Sequence, residues 1–146
     1  MPHRITEPGK AEALRQELRA VIAGAKTFSE NLKTMLRESD IDIALERKAT
    51  VEALQVILQK WVVEIIHVLF LSGPQRFSDI KRSLTGISSR TLTAKLRLLE
   101  DAGFIKRDLI KERPIITEYS LTEKGKTIAE LSCPIILYLK LEGIDR

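Results

Sequence analysis

Apolar side chains recur with a helical period along most of this chain, and with a strand period only near its middle. Leu14, Leu18, Val21, Ala25, Phe28, Leu32 and Met35 step by four and three in alternation, the seam of a coiled coil. That seam predicts a long helix over Lys10–Glu38, introduced by Pro8-Gly9 and ended by Ser39-Asp40. Ile41–Lys48 reads as a connection or a short helix, and Thr50–Leu58 and Trp61–Leu71 as helices rich in Val, Ile and Leu. Trp61, Ile65 and Leu69 share one face, a core anchor in form, and Ser72-Gly73-Pro74 stops the run.

From Phe77 the period shortens into smaller units. A helix over Phe77–Leu84, a Thr85-Gly86-Ile87-Ser88 turn and a helix near Ser89–Ala102 lead to Gly103. Phe104-Ile105-Lys106-Arg107 opens a strand, Lys111-Glu112-Arg113-Pro114 forms a loop, and Ile115–Leu121 alternates as the return strand. Thr122–Leu131 is helical, and Ser132-Cys133-Pro134 is expected to interrupt it, because proline lacks the amide donor that the ladder needs. Ile135–Leu141 then resumes with more apolar surface than a chain end keeps wet.

The order helix, Gly-containing turn, helix and basic hairpin is that of a winged helix-turn-helix, so the expected fold is mainly α with a small β-hairpin wing. Residues 1–48 form an N-terminal helical arm, 49–125 the DNA-binding domain and 126–146 a C-terminal helix. A helix with one narrow apolar stripe lays it either on its own domain or on a second subunit. We favour the second subunit, through Leu14, Leu18, Val21, Phe28, Leu32 and Met35 on the arm and Ile135 and Leu139 near the end.

In the second helix of the motif Leu92, Leu96 and Leu99 repeat at i, i+4 and i+7 and bury one side. Turning about 100° per residue places Arg90, Thr93, Ala94 and Arg97 opposite. A guanidinium presents two parallel donors to guanine O6 and N7, or clamps a phosphate, and Thr93 offers a hydroxyl or a methyl to a base edge. Ser88 and Ser89 stand at the helix N-terminus, where amides and hydroxyls favour phosphate. Ser78 is the expected N-cap of the first helix, with Arg76 and Lys81 near the backbone, and Lys111 and Arg113 reach from the wing.

Charge placement supports this reading. Arg76–Arg113 holds ten of the 24 Lys/Arg but only five of the 20 Asp/Glu, so the net charge of +4 resides on the motif. Aromatic residues, at 5%, are too few for the base stacking that single-stranded nucleic acid requires. One cysteine, Cys133, excludes an internal disulfide and a multi-cysteine metal site; it reads as buried and inert. His3 and His67 form no ligand cluster, and no cofactor is expected. Met1-Pro2-His3-Arg4 precedes no apolar core, and the apolar runs are too short to span a bilayer, so no membrane association and a cytoplasmic location are expected.

An ordered set of residues within about Leu54–Gly125 resembles the HxlR-type winged-helix transcriptional regulators. It comprises Lys60-Trp61, Gly73, Arg76-Phe77-Ser78-Asp79-Ile80, Gly86-Ile87-Ser88, Leu92-Thr93, Leu96, Leu98-Leu99-Glu100, Gly103, Lys111-Glu112, Pro114 and Glu118–Gly125. The resemblance implies homodimeric, sequence-specific binding of duplex DNA, with dimerisation by helices outside the motif. In many members a cysteine about thirteen residues before the tryptophan senses thiol chemistry; that place holds Lys48 here. Leu58-Gln59 replaces a common Gly-Gly, and the N-terminal arm is longer than the family pattern.

The sequence thus predicts a homodimeric transcriptional regulator that binds double-stranded DNA. The main alternative is a winged-helix protein-interaction module, against which Arg90, Arg97 and the local charge weigh. An enzyme is not expected: the nearest approach to a catalytic constellation is Glu64 and His67, three apart on one helix. A small-molecule effector stays unassigned.

Overall fold

The four-three apolar period near the chain start is realised as one long helix, α1 (Pro8–Glu38), with proline in its first turn, where no amide donor is missed. The structure, a computed structural model, describes residues 8–142. The start at Met1–Arg4 and His3, read above as no leader and no ligand, lie outside the described residues. After α1 come α2 (Ile43–Leu54), α3 (Val62–Ser72), α4 (Phe77–Ser83), α5 (Ser89–Asp101), β1 (Ile105–Glu112), β2 (Ile115–Leu121) and α6 (Glu123–Leu141). This is the mainly helical, one-hairpin layout that the pattern predicts.

The described residues divide into two compact units. One is Lys48–Leu131, and the other joins residues 8–47 to 132–142. In the first unit Val62, Ile65, Ile66 and Leu69 of α3 meet Ile80 of α4, Leu92, Leu96 and Leu99 of α5, and Phe104, Ile105 and Leu121 of the hairpin in one core. Removing each such side chain from water contributes about 1.5–3 kcal/mol, which makes this cluster the main source of the unit's stability. Trp61 packs half-buried against it. In the second unit Leu18 is buried, Leu14 is half-buried, and the later seam positions of α1 are exposed.

Four local expectations are corrected. Across Lys48–Thr50, where a connection or short helix is expected to give way to a separate helix, α2 runs unbroken, its start fixed by the Asp42 carboxylate, which accepts the Ala44 amide at 2.8 Å. The helix expected to reach Leu58 ends at Leu54, and Gln55–Lys60 are turns. Trp61 itself is not helical; it precedes α3 with φ at 75°, a left-handed conformation that costs a non-glycine residue about 1–3 kcal/mol. Its carbonyl accepts the first bond of α3, from the Ile65 amide at 3.0 Å.

The fourth correction concerns α6, which runs unbroken through Pro134. Proline removes one ladder bond, and the side chains of Ser132, Cys133, Ile136 and Leu137 on either side of it are half-buried. Cys133 is half-buried rather than buried.

Candidate nucleic-acid interface

The motif is assembled by local hydrogen bonds that its own residues supply. Ser88 caps α5: its hydroxyl oxygen accepts the Thr91 amide at 3.1 Å and donates to the Thr91 hydroxyl at 2.8 Å. The amides of Ser89 and Arg90 precede the first intrahelical bond, from Leu92 to the Ser88 carbonyl at 2.9 Å, and so face out of the helix end. At the other end the Phe104 amide reaches the Leu99 carbonyl at 2.9 Å and the Gly103 amide the Glu100 carbonyl at 3.0 Å. This six-to-one, five-to-two closure needs a left-handed residue, and Gly103 provides it at φ 78°.

Between those ends the helix has two unlike sides. Leu92, Leu96 and Leu99 are at most 1% exposed. Arg90, Ala94 and Arg97 are exposed opposite them, and Thr93 is half-buried. Neither arginine joins an ion pair among the described residues, so both guanidinium groups keep their donors for a ligand. The Thr93 proton is already committed to the Ser89 carbonyl at 2.8 Å, which leaves that residue its methyl and an acceptor lone pair. Lys95, also on α5, turns aside and donates to the Gln59 side chain at 2.8 Å.

Around α5 the remaining sequence-derived residues take distinct places. Arg76, Ser78 and Lys81 are exposed on α4 or at its start. Ser78 is not the cap expected of it: Arg76 occupies the cap position, with no side-chain bond to the helix, and Ser78 lies within the first turn. In the hairpin Lys111 pairs with Ile116 and Glu112 with Ile115, so these two are strand residues and the tip is Arg113-Pro114 alone. The register slips between Leu109 and Lys111, a bulge that places Ile110 outside the ladder. Lys111 and Arg113 are exposed.

Two anchoring contacts had no reading in the sequence. An antiparallel bridge joins Gln75 to Tyr119, with amide-to-carbonyl distances of 2.9 and 2.8 Å, and ties the return strand to the segment entering α4. Thr122 caps α6 by accepting the Gly125 amide at 3.1 Å while donating to the Gly103 carbonyl at 2.6 Å, which locks the start of α6 to the end of α5. The S/T-x-x spacing of both caps, Ser88 to Thr91 and Thr122 to Gly125, was available as a signal. The Gln75 bridge was not, since no local period marks it.

A helix-turn-helix followed by a two-stranded wing defines the winged helix-turn-helix class. The family model of the HxlR-like helix-turn-helix matches residues 56–140, and the chain belongs to that family. It is 44% identical over 80 residues to the HTH-type transcriptional regulator YvaP of Bacillus subtilis, covering 55% of this chain and 73% of that protein. Other curated relatives are matched over 60% and 64% of their own length. Among solved structures it is similar to reduced YodB of B. subtilis, at TM-score 0.56 and 28% identity over 68% of this chain and 92% of that one. It is also similar to a possible HxlR family transcriptional factor of Thermoplasma volcanium, at TM-score 0.53 and 33% identity over 61% and 79%.

Proposed function

We propose that this chain is a homodimeric transcriptional regulator that recognises specific sequences in double-stranded DNA. The observation that carries the reading is the two-sided α5, with Arg90 and Arg97 exposed and in no ion pair among the described residues while the leucines behind them are buried. α5 enters the major groove, where Arg90 and Arg97 read base edges, Thr93 touches a base through its methyl, and the amides of Ser89 and Arg90 hold a phosphate. Arg76, Ser78, Ser88 and Lys81 flank the backbone, and Lys111 and Arg113 act from the wing.

Pairing of two copies is supported by apolar surface that the single chain leaves open. Phe28 and Met35 are 68% and 59% exposed on α1, and Ile135 and Leu139 are 63% and 47% exposed on α6, with Val21 and Leu32 on the same stripe as the former. Leu18 and Leu14 are covered or half-covered within the chain, so the outer part of the arm is what a partner meets. A two-fold dimer spaces its recognition helices by about 34 Å, one turn of duplex.

Selection of bound sites from a pool of random duplexes tests the reading. Recovery of a pseudo-palindromic motif is the expected result, and recovery of no motif removes direct sequence readout. In a salt titration, neutralising ~3–5 phosphates per subunit gives a slope of log affinity against log salt of roughly −5 to −9. A flat line leaves the docking-module alternative in its place.

A further inference from the structure

One side of α5 is held by buried leucines, and apolar packing has no preferred direction. Lys95 supplies a directional contact, its ammonium donating to the Gln59 side-chain oxygen at 2.8 Å. The hydroxyl bonds of Ser88 and Thr93, by contrast, stay within the helix and its cap.

The acceptor is itself fixed. Gln59 lies in the turn after α2, where its amide donates to the Val56 carbonyl at 3.2 Å and its carbonyl accepts the Val62 amide at 3.2 Å. Val56 packs on the core and Val62 is buried in it. The side-chain nitrogen of Gln59 donates to the Gln55 carbonyl at 3.4 Å, which leaves the oxygen to face Lys95. Gln59 and Lys95 are both half-buried. An ammonium taken partly out of water needs an acceptor, so loss of this one would send it elsewhere.

We infer that Gln59 is a positioning residue for DNA readout, fixing through Lys95 the rotation of α5 about its own axis. The inference rests on the proposed DNA binding and adds what sets the aim of Arg90 and Arg97. Arg97 lies two residues after Lys95 on the same helix, and Arg90 five before. On a helix of about 5–6 Å radius, a turn of about 10° carries a side-chain end roughly 1 Å sideways. Paired hydrogen bonds to a base edge weaken steeply over such a displacement, because their distance and angle are narrow. A phosphate contact held by charge tolerates it, since Coulomb attraction falls slowly with distance. The tether therefore governs discrimination between duplexes and leaves general duplex affinity in place.

The contact is tested first without DNA. In ¹⁵N spectra of the full chain the Lys95 ammonium is expected to be protected from exchange with water. Gln59→Met, which keeps the bulk and removes the oxygen, abolishes that protection, and Gln59→Glu retains it. Fluorescence anisotropy then gives affinities for a site selected from random duplexes and for its scrambled sequence. Gln59→Met and Lys95→Met are each expected to lower the ratio of the two by about fivefold or more, and the double variant no further than either alone. Gln59→Glu keeps the ratio within about twofold, because its carboxylate still accepts from Lys95. The salt slope of Gln59→Met equals the parent's, since no phosphate contact is lost. A Lys95 ammonium unprotected in the parent, a ratio unchanged in Gln59→Met, an equal fall in Gln59→Glu, or additive single effects overturns the inference. Should Gln59→Met not fold, Lys95→Met and Gln59→Glu decide. A parent that fails to discriminate between duplexes overturns the proposed readout and this role with it. A discriminating parent whose ratio survives Gln59→Met overturns the role alone.

Discussion

Gly125, in the first turn of α6, lies so close to Phe104 that a Cβ built on it would run into the Phe104 carbonyl oxygen, with Leu121 Cδ2 a further 3.1 Å neighbour. The same carbonyl accepts the Thr122 amide at 3.1 Å, and Lys124 lies over the Phe104 ring at 4.4 Å from its centroid. The start of α6 is thus set down on the end of α5 with no room for a side chain.

Gly125→Ala is expected to destabilise the protein by about 1–3 kcal/mol, because the obstacle is backbone and cannot rotate away. Urea unfolding followed by circular dichroism measures this. A variant as stable as the parent would show that the junction of α5 and α6 relaxes freely.

At Ser88 stability and DNA binding separate. Ser88→Ala removes the α5 cap and should cost about 1 kcal/mol. Ser88→Asp retains a capping oxygen and a favourable charge at the helix N-terminus, yet repels phosphate. The expected pair of results is near-parental stability with weakened duplex binding for Ser88→Asp, read by thermal unfolding and fluorescence anisotropy.

For the readout residues the order is reversed. Arg90→Ala and Arg97→Ala are each expected to weaken specific duplex binding by about 1–3 kcal/mol if the guanidinium pairs with a base. Stability should change by no more than about 0.5 kcal/mol, since both side chains are exposed and join no ion pair among the described residues. If Lys111 meets the phosphate backbone from the wing, Lys111→Ala should weaken all duplexes alike and lower the salt slope by about one.

Phe28→Glu and Ile135→Glu place charges on the two exposed apolar stripes. If both stripes join subunits, each variant shifts the chain from dimer to monomer in multi-angle light scattering while far-ultraviolet circular dichroism stays unchanged. An effect from only one of them assigns the interface to that helix.

Much of the fold was legible because its signals are local. The leucine spacing of α5, Ser88 as its cap and Gly103 as its end all follow from one turn of helix geometry, and each is realised. Where the reading missed, a distant contact had prevailed over a local preference. Ser78 has a capping side chain, but the Gln75–Tyr119 bridge leads the backbone into α4 two residues earlier, with Arg76 at the cap. Pro134 has a breaking ring, but it removes only one bond of the ladder, and α6 runs on across it. Lys95 shares the recognition helix with Arg90 and Arg97, yet Gln59, thirty-six residues earlier, draws it away from the outer face.

By itself the sequence determined which elements form and which side of each is apolar, because period, caps and turn residues act within a few positions. Only the tertiary structure decided that Lys95 meets Gln59, and that Gly125 admits no side chain against Phe104. Such meetings depend on how separate elements pack, and no short-range pattern encodes the distance between them.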